Sequence, residues 1–222
     1  MYPTSSRMAF EEHETPIGTF AFGNVVGAPQ PDLSDNLCWL CGFRVENEQL
    51  DTLLTNIDAA INEYNEKNPS FPTDVEKLKL PFGPAKDLDP DDPKGDKIES
   101  TTHQIIKFKR KLEYKEKRSG MTRQRSAPSI YDASGAVVND RIDDISWGTT
   151  GRVFYKVVPY NLIKSKGVSL TLEGFQIKDL VTSTSISGPV APIDGGGWTA
   201  PPSNEIDLTG EESGGNFFEL DE

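Results

Sequence analysis

The chain has 222 residues, enough for one sizeable domain or two small ones, and its 35% hydrophobic content with 19 glycines and 16 prolines implies a modest core and much loop. No apolar run approaches the roughly 20 residues needed to span a bilayer, and the opening MYPTSSRMAFEEHETP has no basic segment followed by an apolar one. A cytoplasmic protein without a secretory leader or membrane attachment is expected. The formal net charge of −12 argues at first against a nucleic-acid partner.

Residues 1–15 read as a flexible N-terminal arm. In TPIGTFAFGNVVGAP, glycines punctuate a short strand around Thr19–Phe22. Along Asn36–Glu46, Leu37, Trp39, Cys41 and Phe43 alternate with Cys38, Leu40 and Gly42, a strand apolar on both faces. The C-W-L-C spacing of Cys38 and Cys41 resembles a redox motif. Positions i and i+3 of a strand point to opposite sides, so two buried thiols are expected, with no disulfide and no metal. Leu50, Leu53, Leu54, Ile57, Ile61 and Tyr64 then recur at spacings of three and four, the stripe of an amphipathic helix packed on the core. Pro69 ends it.

Asn68–Gln104 carries six prolines and the acidic run DLDPDDPKGDK, which predicts a long loop. Prolines at 90 and 93 break a calcium-loop register through Asp87, Asp89, Asp91, Asp92 and Asp96, so these acids read as solvated. Gln104–Tyr114 alternates Ile106, Phe108 and Leu112 with Lys107, Lys109, Arg110 and Lys111, a strand or ribbon with a cationic face. A flexible arginine-bearing loop, a strand near Ser129–Tyr131, a turn at Asp132–Gly135 and a strand near Val137–Val138 follow. Two longer runs close the folded part, Arg152–Tyr160 and Val168–Ile177, joined by a loop containing Lys164 and Lys166. In the second, Val168, Leu170 and Leu172 give way to Phe175 and Ile177 after Gly174. That change of parity predicts a β-bulge. From this order a mainly β fold is expected: a small, partly open antiparallel barrel of residues 16–188, interrupted by the helix and Pro-rich loop at about 46–104. A β-sandwich is the alternative.

Charge is segregated along the chain. After Lys178 there is no Lys or Arg, and Asp194–Glu222 holds eight acids; without them 23 bases face 27 acids, a net of −4. Lys107–Arg125 holds nine bases and two acids, a local +7. Such a block inside an acidic chain points to an anionic partner. Residues 189–222 form a tail too poor in apolar surface to fold. Its end, Phe217, Phe218, Glu219, Leu220, Asp221 and Glu222, combines rings with acids, as segments that order on docking to a partner do.

An enzyme reading finds little material. The two histidines, His13 and His103, lie in the arm and the loop, and no G-x-S-x-G, P-loop or G-x-G-x-x-G motif occurs. The acids Asp140, Asp143 and Asp144 keep a metal-dependent nuclease as a third reading. A virion or scaffold assembly protein is the second. The first is a binder of single-stranded nucleic acid, which needs cations along the backbone and rings for bases to stack on. Its candidate residues are Lys107, Phe108, Lys109, Arg110, Lys111, Tyr114, Lys115, Arg123, Arg125, Trp147, Arg152, Phe154, Tyr155, Lys156, Lys164 and Lys166, with no catalytic residue and no cofactor.

These residues carry a family resemblance. GTTGRVFYKVVPY followed by KGVSLTLEGFQI, the preceding PSIYDASGAVV and the terminal NFFELDE resemble the single-stranded-DNA-binding proteins of tailed bacteriophages. The likeness is strongest over Ser129–Leu180 and the tail. It implies an OB-fold and sequence-independent coating of single-stranded DNA during phage replication and recombination, in the host cytoplasm. It further implies that the tail competes with DNA and recruits replication partners such as a DNA polymerase or helicase-primase. A homodimer is implied by the resemblance alone.

Overall fold

The computed structural model describes residues 11–88, 97–116, 119–163 and 165–182. Strands β1 (Glu12–Glu14), β2 (Gly18–Asn24), β3 (Gln30–Pro31) and β4 (Leu37–Glu46) lead through a short 3-10 turn into helix α1 (Asp51–Lys67). Then come β5 (Phe82–Leu88), β6 (Lys97–Lys111), β7 (Glu113–Lys115), β8 (Thr122–Gln124), β9 (Ser129–Tyr131), β10 (Thr150–Leu162) and β11 (Ser165–Asp179). β2, β4 and β6 pair antiparallel in turn, β11 joins β6 in parallel, β10 pairs with β11, and β10 returns to β2. Five strands thus close on themselves with a crossover before the last, the Greek-key barrel of an OB-fold rather than a sandwich.

The two long strands show why the sequence closes this way. Along β10, Gly151, Val153, Tyr155, Val157 and Pro159 are buried and the residues between them half-buried, a strict period of two. In the register with β11, Phe154 faces Gly174 and Tyr155 faces Leu172. Glu173 is therefore the extra residue of a bulge, one position from the predicted one. The bulge moves the inward set from Val168, Leu170 and Leu172 to Phe175 and Ile177. Inside, the Phe175 ring meets Phe20 and Phe43 edge-on at 6.2 and 6.1 Å.

Helix α1 lies between β4 and β6 in the chain and packs against β10. Gln49 accepts the Glu46 N–H at its entry (3.2 Å), and Asn68, just before Pro69, closes it by donating its N–H to Asn65 O (3.1 Å). Leu53, Ile57 and Ile61 are buried, each stabilising the fold by about 1.5–3 kcal/mol. Asn56 Nδ2 donates to the Tyr155 hydroxyl (3.0 Å), tying the helix to the barrel.

Three segments differ from the sequence reading. Glu12–Glu14, inside the expected arm, is a strand paired with Phe154–Lys156, because β10 otherwise offers an open edge there. The Pro-rich segment contains β5, which pairs with β6 alone; an edge strand tolerates Pro84 because no neighbour needs its missing N–H. The arginine-bearing loop is a ribbon, Glu113–Lys115 against Thr122–Gln124, whereas Val137 makes only a single bridge to Tyr131. Cys38 and Cys41 are buried free thiols, and burial raises the pKa of both. Among the described residues no helix is long and apolar enough to cross a membrane.

Candidate nucleic-acid interface

The outer face of β2, β4 and β6 is built by one irregularity. Phe20 faces Phe43 and Phe22 faces Gly42, so Ala21 is an extra residue in β2. That bulge sends Phe20 into the core and Phe22 outward, where it stays 42% exposed. The Phe22 ring lies across Gly42, and a Cβ at position 42 would overlap it. Opposite Gly42 on β6 stands Lys107; Lys109 faces Leu40 and Lys111 faces Cys38. The three lysines alternate with buried Ile106 and Phe108, about 6.7 Å from one to the next at the rise of a strand. Lys107 also edges a cleft of about 150 Å³ with Phe82, Gly83, Pro84 and Ile105. A seated ring beside a file of ammonium groups offers one base a stacking surface and several phosphates a partner.

Two cations of this face are already engaged. Lys109 Nζ donates to Asp32 Oδ2 at 2.7 Å, and Arg44 pairs with Asp87 at 2.7 Å. Lys109 is the largest cause holding the Asp32 carboxyl far below its usual range. Asp87 is also lowered, by the Ser100 hydroxyl first and Arg44 next. Lys107 and Lys111 have no acid within 4 Å among the described residues.

The outer side of β1, β10, β11 and β9 gathers a second set of candidates. Phe154 meets Tyr131 edge-on at 5.6 Å. Its cations are neutralised in place: Arg152 by Glu14 (2.8 Å), and Lys156 by Glu12 (3.6 Å) and Glu173 (3.7 Å). Arg110, its side chain only 13% exposed, holds Glu173 at 2.7 Å and donates to Ser126 O and Leu172 O. Arg110 therefore braces β6 against β11 and the Ser126 segment rather than facing solvent.

Phe108 and Tyr155 are core residues, 0% and 1% exposed, with ring centroids 5.3 Å apart. No base reaches either, and burial raises the Tyr155 pKa. The signal was present in the sequence, since Tyr155 shares the parity of Val153 and Val157. On the ribbon, Arg125 sits 4.9 Å over the exposed Tyr114 ring and Arg123 pairs with Glu116 (3.1 Å), while Lys115 is exposed. Trp147 is 74% exposed in the turn before β10. Gly148, at φ 94°, donates to Phe20 O (3.1 Å) and holds that turn against β2. Lys166 Nζ donates to Ser70 O (3.1 Å) at the far hairpin. Lys164 and the tail residues Phe217, Phe218, Glu219, Leu220, Asp221 and Glu222 lie outside the described residues. Asp140 lies in a 3-10 turn and Asp144 accepts from the Ser146 hydroxyl (2.7 Å). Among the described residues no three His, Cys, Asp or Glu side chains gather as a metal site.

Sequence reasoning missed Phe22, Gly42 and Arg44. Alternation alone places Phe20 and Phe22 of TFAF together on the inward face, and only the bulge separates them.

No family model matches the chain, and no curated protein matches it. Among solved structures it is similar to gp2.5, a single-stranded DNA binding protein encoded by bacteriophage T7. That match has a TM-score of 0.52 and 19% identity, over 83% of this chain and 100% of that one. The single-stranded DNA-binding protein of bacteriophage Enc34, solved in complex with single-stranded DNA, matches with a TM-score of 0.51 and 10% identity, over 76% of this chain and 86% of that one. At these identities the likeness is one of fold, and the barrel that presents Phe22 and the β6 lysines is a fold shared with both phage proteins.

Proposed function

We propose that the protein binds single-stranded DNA without sequence preference along the outer face of β2, β4 and β6, without catalysing a reaction on it. The observation that carries this reading is the Phe22 ring seated on Gly42 directly opposite Lys107. Stacking needs only the flat face that every base has, and ammonium groups neutralise phosphates whatever the sequence. The reading is supported by the face itself, since the sheet surface around the second and third strands of an OB-fold is where such barrels take oligonucleotides. It is supported also by the shared fold with two phage proteins described as single-stranded-DNA binders.

The finer reading follows from charge. The DNA-binding domain, residues 16–188, serves phage DNA replication and recombination, and the acidic tail, residues 189–222, competes with DNA for the cationic face. Opposite charges on one chain attract at moderate salt. When DNA displaces the tail, Phe217–Glu222 becomes free to recruit replication proteins. The test is a fluorescence-anisotropy titration of labelled oligo(dT), with duplex as comparison, at several salt concentrations. Expected is preference for the single strand and a log–log salt slope near −0.7 per phosphate contact. No binding at low salt would overturn the reading. Deleting 189–222 should tighten binding; unchanged binding would overturn the competition.

A further inference from the structure

Asp32 does two things with two oxygens. Its Oδ1 builds the loop between β3 and β4, accepting the N–H groups of Ser34 (2.8 Å) and Asn36 (3.0 Å) and the Asn36 Nδ2 (3.3 Å). Its own N–H donates to Asn36 O (3.0 Å), and the Asp35 N–H returns to Asp32 O (2.9 Å). Its Oδ2 reaches out of that loop to Lys109, the middle lysine of the β6 file. The carboxylate thus stands where a phosphate would stand to reach the same ammonium group.

The chain contains an internal control for the loop. Asp132 builds the same turn: its Oδ1 accepts from the N–H groups of Ser134 (2.9 Å) and Ala136 (2.9 Å). Its N–H donates to Ala136 O (2.9 Å), and Gly135 returns to Asp132 O (3.0 Å). No lysine or arginine pairs with Asp132 among the described residues. The turn therefore forms without a cation, and it needs one acceptor oxygen, which asparagine supplies as well. The charge on Oδ2 is surplus to the architecture of the loop.

We propose that Asp32 is a built-in anionic competitor, holding Lys109 in place of a phosphate so that DNA must displace it to gain that contact. The inference rests on the DNA-binding reading above. The effect is to weaken the grip of the face and to flatten its response to salt by one contact. A protein that must be cleared from its strand by the next enzyme gains from such a loosened contact. The exchange also favours a polyanion over small anions: closely spaced phosphates engage Lys107 and Lys111 at the same time and offset the lost ion pair, which a single small anion does not.

The experiment compares D32N, which keeps the loop acceptor and removes the charge, with D132N, which makes the same change in the control turn. Labelled oligo(dT) is titrated against the full chain at four salt concentrations, with thermal melts to confirm folding. D32N should bind roughly two- to fivefold tighter at low salt, the scale of a partly exposed ion pair. It should also show a salt slope steeper by about 0.7. D132N should change neither. In a K109A background the gain from D32N should vanish, which a merely structural role for Asp32 does not produce. If wild-type protein binds and D32N binds equally or more weakly, the competitor role is wrong while the interface stands. Equal gains from D32N and D132N, or a gain that survives K109A, also overturn it, as a general charge effect. If wild-type protein binds no DNA at any salt, the DNA reading fails first.

Discussion

Replacing Gly42 by alanine tests the interface without touching a residue that would contact DNA. A Cβ at 42 overlaps the Phe22 ring, which must swing off the sheet. The ring is a flexible side chain already 42% exposed, so leaving its seat forfeits about half of the 1.5–3 kcal/mol that full burial of phenylalanine contributes. Alanine in a strand recovers about 0.5–1 kcal/mol relative to glycine. The two nearly cancel, and the melting temperature should shift by no more than about 4 °C for a chain of this size. Binding has no such compensation. A lost stacking platform costs about 1–3 kcal/mol per base, a roughly 5- to 150-fold rise in Kd. Anisotropy with oligo(dT) at fixed salt measures it, beside F22A, which should lose a similar amount. Both should keep the salt slope, because no lysine is removed. Wild-type affinity in G42A together with weakened F22A refutes the seat; wild-type affinity in both removes this face as the interface.

Three further expectations follow from the same geometry. R152A and K156A should change DNA affinity little, because Glu14, Glu12 and Glu173 already neutralise these cations, whereas K107A should weaken binding and flatten the salt slope by about 0.7; a larger loss from the β10 pair reverses the assignment of faces. I57A should destabilise the fold by about 2–5 kcal/mol in urea unfolding, since Ile57 is fully buried on the inner face of α1; a loss under 1 kcal/mol would mean the helix is not part of the core. Acid should also destabilise the chain. Asp32, Asp74, Asp87 and Asp132 are held below the ordinary carboxylate range, chiefly by Lys109, Lys77, Ser100 and Ser134 respectively. The folded chain takes up these protons less readily than the unfolded one. The stabilisation is therefore complete above the unfolded value near about 4 and is lost as pH falls through the lower folded values. A urea midpoint that does not fall between pH 6 and pH 3 contradicts this.

The parts of the fold that were legible in the sequence are those with an undisturbed period. β10 alternates without a break, α1 keeps its stripe from Leu50 to Tyr64, and the parity change near Gly174 marked the bulge within one residue. What escaped were elements whose local chemistry contradicts their pairing. Pro84 reads as loop, yet β5 has a neighbour on one side only. Glu12–Glu14 reads as a solvated arm, yet it completes the open edge of β10. The site was legible as a file of lysines but not as a face, because alternation gives parity and not direction. Phe108 and Tyr155 lay on the inward parity of their strands, and Phe22 left its apparent parity through the bulge at Ala21.

Two surfaces of the barrel look alike by composition. Each places aromatic rings beside cations on the outside of the barrel. On the β10 side, a phosphate contacting Arg152 or Lys156 must expel a carboxylate held within 4 Å, so each new contact replaces one neutralisation with another. On the β6 side, Lys107 and Lys111 have no such carboxylate among the described residues; of the three lysines in the file only Lys109 is held, and Arg44 on β4 is paired with Asp87. The free energy of counterion release is available where the cation is not already matched. A net charge of −12 is thus compatible with an anionic partner at this face: Asp32 and Asp87 hold Lys109 and Arg44, while Lys107 and Lys111 of the same file have no carboxylate within 4 Å among the described residues.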